Sequence, residues 1–211
     1  MIDRKRSSRV LAVRFSAACA LLAGIAPVSA QTPGAAAKSA EWLIASAVLA
    51  APAELRDGAE VRGWTPTGDD LVLLRAGTNQ IICLADRPDL EGFAAACYHA
   101  TLEPFMERGR ALRREGIDGG RNNETRWAEI RAGTLPMPGA AMVYNLRMPD
   151  TDFDPATTDP ATGSRLHSLY IRDATPESTG LPVQPGDAPW LMLPGTPSAH
   201  VMIVLPTKKP E

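Results

Sequence analysis

The sequence predicts an α+β fold: a small, mostly antiparallel sheet with two to four short helices. Three observations lead there. Short segments of strand-like apolar pattern recur along the chain, as at 60–64, 71–75 and 166–171. Helix-like segments are interspersed too irregularly for a βαβ series, which argues against a parallel sheet. Gly and Pro together make up 36 of the 211 residues, a composition that favours long loops and short elements.

The chain begins with the order of a secretory signal. Five basic residues (Arg4, Lys5, Arg6, Arg9 and Arg14) precede an apolar run from Phe15 to Ala26, and Pro27 leads into Val28-Ser29-Ala30. The run is shorter than the ~20 residues a membrane-spanning helix needs. Cys19 lies inside it, which does not suit lipid attachment, and no twin-arginine pair precedes it. The domain organisation that follows is a signal peptide at 1–30, a flexible leader at 31–38, one domain at 39–206 and a charged tail at 207–211. The expected location is periplasmic or secreted, with no membrane span after cleavage. Removing 1–30 takes five of the 22 Lys+Arg and one of the 24 Asp+Glu, leaving 17 against 23. A net acidic chain repels nucleic-acid phosphates, so no nucleic-acid partner is expected.

Within the domain, Ser39 can cap a helix running to Ala51, stopped by Pro52. Strands are expected at Glu60–Trp64, Leu71–Arg75 and Ile81–Leu84, with Asp69-Asp70 and Gly77-Thr78-Asn79 as the turns of a hairpin-like region. Residues 101–115, TLEPFMERGRALRRE, form an amphipathic helix with Pro104 in its first turn and Gly116 at its end. Its arginine face suits an anion, although such faces are more often simply solvated. A polar linker, GGRNNE, leads into a short helix at Trp127–Arg131. Ala140–Leu146, Leu166–Ile171 and His200–Leu205 read as strands, separated by an acidic loop at 149–164 and a Pro/Gly-rich stretch at 176–197.

Candidate chemistry is sparse. Once Cys19 is removed, Cys83 and Cys97 remain, and an even count in an oxidising compartment points to a disulfide. His99, His167 and His200 could build an open zinc site, but their spacing matches no local ligand motif. Asp150, Asp152 and Asp154 begin like a calcium loop, and Pro155 then stands where the turn glycine belongs. Ser198 lies near His200 without a nucleophile-elbow motif. Trp64, Trp127 and Trp190, with Tyr144 and Tyr170, could line a ligand pocket, and the 187–200 loop around Trp190 is the first place to look, although scattered aromatics are more often core. No cofactor loop is present in the sequence, and no cofactor is expected.

Three blocks, LRAGTNQIICLAD, GTLPMPGAAMVYNL and PWLMLPGTPSAHVMIVLP, occur in this order. On them the chain resembles a family of uncharacterised exported bacterial proteins carrying LRxGTN…C and PWxMxPGTPxAHxMI blocks. The resemblance implies a shared exported architecture and assigns no catalytic residues. The expected function is therefore a non-catalytic domain that binds a small ligand or an envelope protein. The alternative is a hydrolase or metal-assisted enzyme using His200 with His99 or His167.

Overall fold

The computed structural model describes residues 38–149 and 153–209. The signal peptide, all of the leader but Lys38, and Asp150 and Asp152 lie outside the described residues. Helix α1 (Ala40–Ala47) starts where the sequence places it. The Ser39 hydroxyl accepts the Trp42 N–H at 3.2 Å, and a 3₁₀ turn at Val48–Ala50 carries the chain towards Pro52. Strands β1 (Glu60–Trp64), β2 (Leu71–Arg75), β3 (Ile81–Leu84) and β4 (Phe93–His99) follow. Next come α2 (Glu103–Arg114), α3 (Gly119–Arg131), β5 (Ala140–Met148), β6 (Arg165–Ile171), the single turn α4 (Pro176–Thr179), β7 (Trp190–Met192) and β8 (His200–Leu205).

These eight strands form one mixed sheet in the order β2-β1-β3-β4-β5-β6-β8-β7. The α+β class and the mostly antiparallel pairing hold, but the sheet is larger than the small one expected. Two strands absent from the sequence reading enlarge it. Strand β4 reads FAAACYH, and its alanines carry little β-propensity of their own. They are placed by pairing with β3 on one side and β5 on the other, where small side chains let covering elements approach. Strand β7 is three residues long, held by pairing with β8.

The hairpin expected between 71–75 and 81–84 does not form. β1 lies between those strands, antiparallel to β2 and parallel to β3. The chain crosses beneath the start of β1, where the Thr78 and Asn79 amides both donate to the Gly58 carbonyl. Gly77 serves close approach there: a Cβ would lie 2.7 Å from the Glu60 nitrogen.

A second difference concerns 119–124. Rather than a linker, this segment is the first half of α3. Asn122 is buried and donates through Nδ2 to the carbonyls of Gly109 and Ile117, tying α3 to α2. Gly109 permits the contact, since a Cβ there would lie 2.9 Å from the Arg126 guanidinium. Tertiary packing overrides the weak helix propensity of Gly and Asn.

Alternation along the strands sends two cores to opposite faces. Val61, Cys83, Phe93, Cys97 and Leu146 meet α1 on one face, and Phe153 enters that cluster by stacking on Phe93 at 3.9 Å. Ile82, Tyr98, Leu102, Phe105 and Val143 pack on the other, beneath α2 and α3. Lys38, at the end of the expected leader, pairs with Asp86 at 2.9 Å. Among the described residues, no helix is long and apolar enough to cross a membrane.

Candidate functional site: an arginine-lined cleft

Cys83 and Cys97 face each other across the β3–β4 ladder, joined through their sulfurs at 2.06 Å. The bridge is fully buried and belongs to the α1-side core.

The other residues singled out from the sequence do not converge. His167 packs edge-on against Tyr144, on the α1 side of the sheet. His200 stacks on Tyr170 at 4.8 Å, on the α2 side. His99 shares the parity of Cys97, placing it on the α1 side, where its Nδ1 lies 2.9 Å from Thr101 Oγ1. The sheet thus separates His200 from both of its proposed partners. No group of three His, Cys, Asp or Glu able to hold a metal occurs among the described residues. Ser198 and His200 do not form a dyad. His200 Nδ1 donates to the Ser198 carbonyl at 2.8 Å, while the buried Ser198 hydroxyl accepts the Trp127 indole N–H at 2.7 Å. Asp154 spends its carboxylate on its own turn, accepting from the Ala156 amide and the Thr157 hydroxyl. Tyr144 lies on the opposite face from Tyr170, and β6 and β8 separate β5 from β7, so Trp190, Tyr144 and Tyr170 cannot line one pocket.

Burial pushes the His200 imidazole below the usual histidine range, against the opposing effect of the Ser198 carbonyl bond. Burial, and then the charge of Arg165, do the same to His167. A histidine that protonates at lower pH when folded favours the unfolded chain as acid is added. The melting temperature is therefore expected to fall as pH drops below about 6.5, the unfolded histidine value, towards the lower folded values. His200→Gln should flatten that fall. Parallel profiles for the variant and the parent would contradict this assignment.

Polar side chains do converge at a cleft of about 90 Å³ between the β1–β2 turn, the segment after β3, and α2. The amphipathic spacing of α2 buries Phe105 and Leu112 and carries Arg110, Arg113 and Arg114 to the cleft wall. Trp64 forms the facing wall, fixed by its indole N–H donating to the Ala85 carbonyl at 3.0 Å. Arg87 lies over that ring at 4.7 Å and is clamped by Asp89 through bonds of 2.9 and 2.6 Å. Gly68 lets the turn close: its φ is +73°, and a Cβ would lie 2.5 Å from Asp89 Oδ1.

Three of the four guanidiniums are neutralised. Arg87 has Asp89, Arg110 has Glu103 and Glu107, and Arg114 has Glu107 and Asp70. The Arg113 guanidinium makes no hydrogen bond or ion pair among the described residues; its backbone carbonyl is engaged by the Gly116 amide. Although the residue is exposed, partial desolvation of the guanidinium against the cleft, and then repulsion from Arg110, Arg87 and Arg114, lower its pKa despite the attraction of Asp118. It remains charged at any physiological pH, so it can attract and orient an anion but cannot shuttle protons.

The arginine face of α2 was visible in the sequence. Trp64 stands there only among scattered pocket aromatics, and Asp69 and Arg87 carry no site signal, because they reach the cleft only through the pairing of β1 with β2 and β3. Compared with family models, curated proteins and solved structures, the chain matches none.

Proposed function

We propose that this chain is an exported, non-catalytic domain, periplasmic or secreted, that binds a small anionic ligand in the arginine cleft. The observation that carries the reading is Arg113: a guanidinium that makes no ion pair, feeling Asp118 only at longer range, in a recess that three more guanidiniums line. Holding such a charge among like charges is unfavourable, and an incoming anion relieves it. The buried Cys83–Cys97 bridge and the secretory pattern of residues 1–30 support the location. So does the resemblance of the three sequence blocks to an exported family. The hydrolase alternative has no geometric support, because the sheet separates His200 from His99 and His167.

Calorimetric titration of the oxidised mature chain with acetate and with inorganic phosphate at low ionic strength tests the reading. Binding should weaken as salt is added. Arg113→Gln should reduce it about tenfold or more, the worth of a hydrogen bond to a charged group. No heat with the parent chain, or equal affinity in the variant, would remove the proposal.

A further inference from the structure

The cleft has an acidic residue on its wall, and a simple anion does not account for it. Asp69 lines the recess together with the arginines. Its carboxylate makes no hydrogen bond or ion pair among the described residues; only its backbone carbonyl is engaged, by Arg114. The charge of Asp69 is felt at Arg87 across the cleft. Asp69 and Arg113 are thus two unpaired, opposite charges on one small cleft that do not pair with each other.

On the reading of the cleft as a ligand site, we infer that its ligand is zwitterionic: a small molecule with an anionic group for Arg113 and a cationic group for Asp69. Three physical points favour this. A carboxylate on the wall repels a bare anion, whereas it attracts the ammonium of a dipolar ligand. Salt bridges already engage Arg87, Arg110 and Arg114, so the cleft offers one free charge of each sign rather than a surplus of positive charge. The volume, about 90 Å³, lies far below the ~300 Å³ at which pockets begin to enclose drug-sized ligands. It admits a head group of the size of an amino-acid backbone, with any remainder in solvent.

Titration calorimetry with glycine, acetate and methylammonium, on the oxidised mature chain and on Asp69→Asn and Arg113→Gln, tests the inference. Both side chains are exposed, and each substitution keeps its length or volume, so the variants should fold as the parent does. Glycine should bind about tenfold tighter than acetate, the worth of one added charge-assisted contact. Asp69→Asn should abolish that advantage and improve acetate binding. Arg113→Gln should weaken both. Should acetate bind at least as well as glycine while Arg113→Gln still weakens it, the zwitterion falls and the anion site stands. If Asp69→Asn leaves glycine unchanged, the zwitterion falls as well. If neither glycine nor acetate binds the parent chain, both readings fall together.

Discussion

Replacing Glu103 with alanine is expected to destabilise the fold by about 3–5 kcal/mol, the cost of stranding a buried charge. Glu103 opens α2, and its two oxygens serve three partners. Oε1 accepts from Arg62 and from Arg110, the latter at 2.6 Å, and Oε2 accepts the Tyr98 hydroxyl. Arg110 is 4% exposed and Tyr98 is 2% exposed, so water cannot replace the lost carboxylate cheaply. Burial pushes the Tyr98 phenol well above its ordinary range, with Arg110 opposing and Glu103 reinforcing, so it remains a donor in need of an acceptor. Glu107 would still hold Arg110 at 2.8 Å, but it also serves Arg114.

The mechanism of this loss can be separated from simple loss of packing. If stranded charge is the cause, Glu103→Ala combined with Arg110→Met should lose less than the sum of the two single changes, as in a double-mutant cycle. Additive losses in guanidinium melts would show the network to be uncoupled. Acid should attack the same network. Burial raises the Glu107 pKa, but bonds from Arg114 and Arg110 outweigh it and hold the group below the usual glutamate value. Its contribution is present above the unfolded glutamate pKa and is lost as pH falls through the folded one.

The strands legible in the sequence were those whose own residues carry the signal. Leu71–Arg75, Ile81–Leu84 and His200–Leu205 hold branched apolar runs between turn residues, and each forms a strand. Ala94–Ala96 carry no such signal, because their strand is specified by its neighbours. The hairpin expected from Gly77-Thr78-Asn79 failed for the same reason. A turn motif states that the chain reverses, while pairing partners are chosen by the sheet, which inserts β1 between β2 and β3. The histidines show the limit most directly. Tyr170 and His200 are opposite each other on β6 and β8, and His167 lies three residues from Tyr170, an odd step that sends it to the other face. That parity was present in the sequence, but it could not be applied until the partner strand was known. The same holds for the cleft, whose wall combines α2 with Trp64 and Arg87.

Removing the Cys83–Cys97 bridge is expected to destabilise the chain by about 3 kcal/mol, the loop-closure value for a ring of this size. The bridge spans a sequence separation of 14 and joins residues directly opposite each other on β3 and β4. It closes only a local excursion, so its main effect is on the unfolded ensemble. Both cysteines are fully buried against Ala47, Val61 and Leu146, and alanine at both sites would add a cavity cost to the entropic one. Reduced parent protein should therefore lose less than Cys83→Ala/Cys97→Ala, and the difference between them measures packing alone. Guanidinium melts of the parent with and without reductant, and of the double variant, separate the two contributions. A reduced parent as stable as the oxidised one would show that β-pairing alone holds β3 to β4. Glycine and acetate binding should survive reduction, since the bridge lies on the α1 side of the sheet and the cleft is walled by α2. Loss of binding in reduced protein that remains folded would mean the two faces are coupled through β3, whose Cys83 faces α1 while Ile82 and Leu84 pack beneath α2.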